Sequence, residues 1–158
     1  MTAYARLAPL WITAALLIFA PSAHALIQVD AGIAGARLGN TREQVRAALG
    51  KPIKIRTLKN DFGPYVEYRF SGGIRVTFQG KTNVTAVTTT GKGDLTTGAI
   101  GVGSTENQVK ASVKGVKCEG VGTARSCHTG TFTAGKTVTD FRIENGNVTS
   151  VTVGIVID

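Results

Sequence analysis

The sequence predicts an α+β fold of two tandem units, each a short helix packed on one face of an antiparallel sheet of about four strands. The first observation is a repeat: residues 38–49 (LGNTREQVRAAL) return as 102–113 (VGSTENQVKASV), 64 positions later. Residues 83–87 return at 147–151 with the same offset. The second observation is an alternation of apolar and polar residues with period two, which is typical of strands with one buried and one solvated face.

The composition favours strands and turns over a helix bundle. The chain has 158 residues, of which 42% are hydrophobic and 18% charged, with 20 Gly against 4 Pro. This much apolar material suffices for a packed core and excludes global disorder. The formal net charge is +8, which favours acidic partners.

Residues 1–25 predict a cleaved secretory signal peptide. Arg6 lies in a positive start, residues 7–20 are an apolar run, and 23–25 form an A-x-A pattern. The run is shorter than the roughly 20 residues that a membrane span needs. We therefore expect an exported mature chain, secreted or held in the cell envelope, with unit 1 at 26–97 and unit 2 at 98–158. An uncleaved N-terminal anchor is the alternative.

Each unit is predicted to open with a helix that begins at a capping box, in which a Thr and a Gln three residues later satisfy each other's backbone donors. These pairs are Thr41 with Gln44 and Thr105 with Gln108. Gly50 is predicted to end the first helix and Gly115 the second. Both helices are barely three turns long, so they need a sheet to pack on.

Strands are predicted to follow each helix. In unit 1 they cover residues 53–59, 65–70, 74–79 and about 84–90, and in unit 2 they include 140–143 and 148–157. Alternation places Tyr68, Val76 and Phe78 on the buried face. Asn145-Gly146 is the strongest hairpin signal in the chain.

Two cysteines, Cys118 and Cys127, remain in the exported chain. An oxidising compartment makes a disulfide the default for such a pair. The bond would join the two arms of one hairpin. The spacing is not C-x-x-C, so a redox motif is not indicated.

The stretch 33–52 resembles the G-M-T-x-x-Q-V-x-x-x-L-G-x-P opening of SmpA/OmlA (BamE-like) modules, which tandem-repeat β-lactamase-inhibitor-like (BLIP-like) proteins share. Asn40 stands where the motif usually has Met. The resemblance covers roughly 33–157. It implies two sheets side by side with a concave outer surface that binds other proteins. The chain has no lipobox cysteine, which argues against an outer-membrane assembly lipoprotein.

Alternation and this resemblance together place a candidate partner-binding face on the solvated side of the sheet. Tyr and Arg, which often anchor interfaces, are among its residues. The predicted face consists of Tyr65, Glu67, Arg69, Arg75, Thr77, Gln79, Asp140 and Arg142.

Catalytic and metal signatures are not indicated. Asp61-Phe62-Gly63 lacks the other kinase motifs, and His128 has neither a marked nucleophile nor the further ligands that zinc requires. We expect no enzyme activity, no metal and no cofactor. The predicted function is a secreted protein-binding module, an inhibitor or an adaptor. The alternative is a basic envelope protein held electrostatically on acidic wall polymers or anionic lipid; export disfavours nucleic acid as a partner.

Overall fold

The computed structural model describes residues 26–80 and 82–157. The predicted signal peptide, residues 1–25, therefore lies outside the described residues. Within these ranges the protein is α+β, with two α-helices and a mostly antiparallel main sheet. The elements in chain order are β1 (Ile27–Gln28), β2 (Gly32–Ile33), β3 (Ala36–Arg37), α1 (Arg42–Leu49), β4 (Lys54–Asn60), β5 (Gly63–Arg69), β6 (Ile74–Gln79), β7 (Ala86–Thr89), α2 (Glu106–Ser112), β8 (Lys117–Glu119), β9 (Ser126–His128), β10 (Thr137–Glu144) and β11 (Asn147–Ile155).

The main sheet is larger than the prediction of about four strands in each of two sheets. In the described part of the chain it contains eight strands in the order β4-β5-β6-β7-β11-β10-β9-β8. We call β4–β7 the N-terminal half and β8–β11 the C-terminal half. Antiparallel pairing of β7 with β11 joins them, with Thr88 opposite Thr152. The two sheets expected side by side are one sheet, because each half satisfies the free backbone groups of the other's edge strand.

Both predicted capping boxes are present. The Thr41 hydroxyl accepts from the Gln44 backbone N–H, and the Gln44 side chain accepts from the Thr41 N–H; Thr105 and Gln108 repeat the arrangement. Gly50 ends α1 at φ 78°, as predicted. α2 ends earlier than predicted, because Val113 is its C-cap and Gly115 lies beyond it.

The faces of the strands follow the predicted alternation. The inner face of the main sheet carries the fully buried Val76, Phe78, Val87, Phe141 and Val153. Each helix contributes one fully buried valine to the same core, Val45 and Val109. We call the opposite side the outer face. The Asn145-Gly146 turn between β10 and β11 is also confirmed, with positive φ at both residues.

A small three-stranded sheet, β1–β3, was not predicted from the sequence. Its Ile27 and Ile33 are buried in the core. The Asp30 carboxylate accepts from the Thr139 hydroxyl at 2.8 Å, and Thr139 also accepts from the Asp30 N–H at 2.6 Å. The N-terminal segment thereby contacts the C-terminal half across the core. Its strands are two residues each, too short for a period-two signal.

The short edge strand β8 is held by two connections. The predicted disulfide is present and joins Cys118 to Cys127, which pair directly across β8 and β9. Glu106, in the first turn of α2, accepts two hydrogen bonds from Arg125 at 2.6 and 2.7 Å. Arg125 immediately precedes β9, so this pair ties the helix to the hairpin. Arg125, followed by Lys110, lowers the pKa of Glu106 to about 2.

No α-helix among the described residues has the length and apolar character needed to cross a membrane.

The Glu106 pair predicts a pH-dependent contribution to stability. A carboxyl group whose pKa is lowered on folding stabilises the protein above its unfolded pKa, near 4.5, and loses this contribution as pH falls through the folded value. We expect Glu106→Gln to lower Tm by about 4 °C at pH 7, which corresponds to roughly 1 kcal/mol. The difference should shrink below pH 4.5 and be largely lost by pH 2. Circular dichroism melts across this range measure it.

Glu144→Gln is the matched control, because Glu144 pairs with Arg142 on the surface, where both side chains are 41–50% exposed. We expect it to change Tm little at any pH. A Glu106→Gln effect of equal size at pH 7 and pH 2 would contradict the electrostatic account.

Candidate functional site

The eight residues predicted to bind a partner share the outer face of the main sheet. Six of them form three directly opposed pairs on β5 and β6: Tyr65 with Gln79, Glu67 with Thr77, and Arg69 with Arg75. The other two, Asp140 and Arg142, lie on β10. Strands are about 4.8 Å apart, so the three steps from β6 to β10 separate the two groups by roughly 14 Å. The structure therefore divides the predicted face into two patches.

The first patch, which we call the arginine patch, consists of the six residues on β5 and β6 and centres on Glu67. Although its strand position faces outward as predicted, Glu67 is only 4% exposed, and this differs from the solvated position expected. Its Oε1 accepts from Arg69 Nε at 2.7 Å, and its Oε2 lies 3.6 Å from Arg75 Nη1. The two arginines cover the carboxylate, and they are themselves about 40% exposed.

Further cations border the arginine patch on the neighbouring strand. Arg56 of β4 lies directly opposite Glu67, and Lys54 lies opposite Arg69. One buried carboxylate thus lies among four cationic side chains, and the patch carries excess positive charge. Anionic groups on a partner are favoured at such a surface.

Gln79 has a local structural role in the hairpin between β4 and β5. Its Nε2 donates to the Phe62 carbonyl at 3.0 Å, and its Oε1 accepts from Asn60 Nδ2 at 3.0 Å. Tyr65, directly opposite, is partly exposed. Tyr65 is therefore the residue of this pair whose side chain is aromatic and accessible from outside.

The second patch is partly committed to internal contacts. Arg142 Nη2 donates to the Thr123 carbonyl at 2.6 Å, and its Nε donates to Glu144 at 3.1 Å. Asp140 lies beside a cavity of about 410 Å³, whose apolar walls include Phe132, Val138 and Val156. The Oδ1 atom of Asp140 is buried and has no hydrogen-bond partner among residues 26–80 and 82–157.

His128 is buried, with 4% of its surface exposed. It lies directly opposite Asp140, its ring centroid is 4.6 Å from that of Phe132, and its Nε2 is 3.2 Å from Glu119 Oε1. The contact with Phe132 was not predictable, because the loop that carries Phe132 returns to the sheet only in the folded chain.

One cluster within the described ranges has the residue types of a metal site. Glu106, Cys118 and Cys127 offer ligand atoms within 4.8 Å of one another. The two cysteines form a disulfide, and metal binding by cysteine requires the thiolate. The cluster in its oxidised form therefore does not fit a metal ion.

A groove that the sequence analysis did not identify lies beside β4, at the end of α1. Its volume is about 430 Å³, and it is lined by Arg46, Gly50, Lys51, Pro52 and Ile55. The signal in the sequence was a pair of isoleucines, Ile53 and Ile55, among cationic residues. Both isoleucines are largely exposed, at 73% and 51%.

Comparisons with known proteins supply a structural neighbour and no family. No family model matches the chain, and no curated protein matches it. Among solved structures, it is similar to a DUF4309 family protein (YjgB) from Bacillus subtilis, with 17% sequence identity and a TM-score of 0.44. The similarity covers 73% of this chain and 78% of that one.

The arginine patch predicts a measurable role for Glu67 in stability. Glu67→Gln removes the charge that holds Arg69 and Arg75 side by side, and it leaves the two guanidinium groups opposed. We expect a loss of about 1 kcal/mol in the free energy of unfolding, since solvent at the half-exposed arginines screens the pair. The midpoint of urea unfolding should fall with an unchanged m-value.

Glu144→Gln again serves as the control, because Glu144 accepts from Arg142 two residues away, as Glu67 does from Arg69, but is itself exposed. Its effect should stay below about 0.3 kcal/mol. Equal losses in the two variants would show that burial of Glu67 adds nothing.

Proposed function

We propose that this protein is an exported, non-enzymatic binding protein that recognises another protein through the outer face of its main sheet, as an inhibitor or an adaptor. The arginine patch carries the proposal: a buried Glu67 pairs with Arg69 and Arg75, and Tyr65 lies on the same face of β5. Its excess positive charge favours a partner that presents carboxylates. The patch on β10 would serve as the rim of the same interface.

The ion pairs that Glu67 makes with the two arginines favour binding, because they order the arginine side chains in advance. A long side chain that is already ordered loses less conformational entropy when a partner binds. Arginine presents a planar fork of donors that matches a carboxylate. Tyrosine and arginine are also the residue types that contribute most at protein interfaces. The two paired arginines and Tyr65, on one face, thus have the composition of an interface centre.

We propose in addition that the chain consists of two tandem units, 26–97 and 98–158. Several backbone contacts recur with the offset of 64 seen in the sequence. Thr41 bridges Asn83 as Thr105 bridges Asn147. The Gly39 N–H donates to Val84 O, as the Gly103 N–H donates to Val148 O. These equivalent contacts support the duplication, while the BLIP-like resemblance stays a prediction.

A second candidate function is electrostatic association with acidic wall polymers or anionic lipid. The observation in its favour is the basic segment 51–59, which contains Lys51, Lys54, Arg56 and Lys59 and no acid. None of the ion pairs found among the described residues involves these four cations. Such contacts are screened by salt, because the Debye length falls from about 10 Å at 0.1 M to about 3 Å at 1 M.

Affinity capture tests the proposed function. The bait is the exported protein, offered to envelope extract and culture fluid of its source at low and high salt. We expect a protein partner that stays bound at 1 M salt and is lost with the Tyr65→Ala/Arg69→Ala/Arg75→Ala variant. Polyanionic material captured only at low salt would instead support the envelope alternative.

Two further variants separate binding from folding and from total charge. Adding Glu67→Gln to the triple variant avoids an isolated buried carboxylate, so a loss of capture in this variant reports on the surface. Lys92→Ala/Lys114→Ala removes an equal number of positive charges, two, at exposed positions elsewhere. This variant should capture the partner normally. Equal loss with this charge control would count against the outer face.

A further inference from the structure

The strand β4 has one edge that pairs with no strand in the described part of the chain. β4 ends the order of the main sheet, and its seven residues pair with β5 alone. The opposite edge strand, β8, has three residues and is held by the disulfide. An open strand edge presents unpaired backbone N–H and C=O groups in a row, which is a template for one more strand. β4 is the longer of the two templates.

The first three residues of β4 place different chemistry on the two faces of the sheet. Lys54 and Arg56 point to the outer face, since they oppose Arg69 and Glu67. Ile55, between them, opposes the buried Tyr68 and so belongs to the inner face. It is nevertheless half exposed, because α1 ends at Leu49 before covering this corner of the sheet. At residues 54–56 the edge is therefore cationic on its outer face and apolar on its inner face. Beyond them, Leu58 lies on the outer face and Lys59 on the inner one.

The groove described above lies on the apolar side of this edge. Ile55 forms one wall, and Gly50, Lys51 and Pro52 form the segment that leaves α1. The turn that ends the helix thus creates a space next to the exposed isoleucine. A strand added to β4 would direct every second side chain toward this groove and the others toward Lys54 and Arg56.

Charge decides what kind of segment can occupy this edge. Residues 51–60 (KPIKIRTLKN) contain four cations and no acid. Pairing of β4 with β4 of a second copy would bring two such segments together, and like charges directly opposed across strands are destabilising. A segment with acidic side chains would instead find complementary charge at this edge.

We propose that the free edge of β4 binds an extended acidic segment of a partner protein by strand addition. Acidic side chains of the added strand lie over Lys54 and Arg56, and the alternate apolar side chains enter the groove beside Ile55. Backbone hydrogen bonds supply affinity in this mode, and the alternating side chains supply specificity. This inference rests on the proposed function in that it assumes a protein partner, and it names the recognised segment.

Binding of a synthetic peptide tests the inference directly. The probe is a labelled peptide of alternating Glu and Val, equal in length to β4, titrated with the exported protein and followed by fluorescence anisotropy. We expect saturable binding and slower hydrogen exchange at β4 amides in the complex. N-methylation of alternate peptide amides along one edge removes the backbone donors while the charge stays, and we expect it to weaken binding at least 10-fold. Methylation along the opposite edge should have less effect.

Variants of the protein locate the site. Lys54→Gln/Arg56→Gln should weaken peptide binding about 10-fold or more, and Lys92→Gln/Lys114→Gln, with the same loss of charge, should bind normally. Ile55→Thr, which keeps strand propensity, should weaken the alternating peptide and leave a Glu-Ser peptide unaffected. An unchanged melting curve confirms that each variant folds.

Three outcomes would overturn strand addition. The first is equal affinity for peptides methylated along either edge and for the parent, which would indicate attraction by charge alone. The second is no binding at all, and the third is a dimer in sedimentation that Lys54→Gln/Arg56→Gln strengthens, which would assign the edge to a second copy. If the peptide fails while capture still depends on Tyr65, Arg69 and Arg75, only this inference fails. If capture fails as well, the proposed function fails.

Discussion

The antiparallel pairing of β7 with β11 is the contact on which the rest of the structure depends. It joins two sets of four strands into one sheet, with Val87 opposite Val153 in the core and Thr88 hydrogen-bonded to Thr152 on the outer face. Strand edges left open in each half would expose unpaired backbone groups. The pairing also creates a single inner face, on which the helices and the β1–β3 segment share one core. The junction also sets the separation on the outer face between the arginine patch on β5 and β6 and the second patch on β10.

Joining the halves concentrates polar chemistry on the outer face. The inner face is filled by apolar side chains from both halves, so outward positions carry the charges. On β5 and β6 this arrangement produces a buried carboxylate between two arginines, a combination that limits their motion. On β10, Arg142 is used for internal hydrogen bonds. The N-terminal half therefore carries the patch on which the proposed binding depends.

Local features were predictable because their causes are local. A capping box requires a Thr and a Gln three residues apart, and Asn145-Gly146 needs only its own tolerance of positive φ. Alternation correctly placed Val76 and Phe78 in the core. The burial of Glu67 was not predictable, because it follows from Arg75 on the next strand. The groove at Ile55 was likewise missed, since it depends on where α1 ends above the sheet.

The sequence by itself determined the helix starts, the strand faces, the disulfide pair and the excess of positive charge, since each depends on residue type and spacing along the chain. Tertiary structure alone decided that the strands form one sheet, that β1–β3 enters the core, and that β4 ends the sheet with one edge unpaired by any strand of residues 26–80 and 82–157. Backbone hydrogen bonds between strands are nearly independent of side-chain identity. The order of strands is therefore settled by which edges can meet while the apolar faces stay buried.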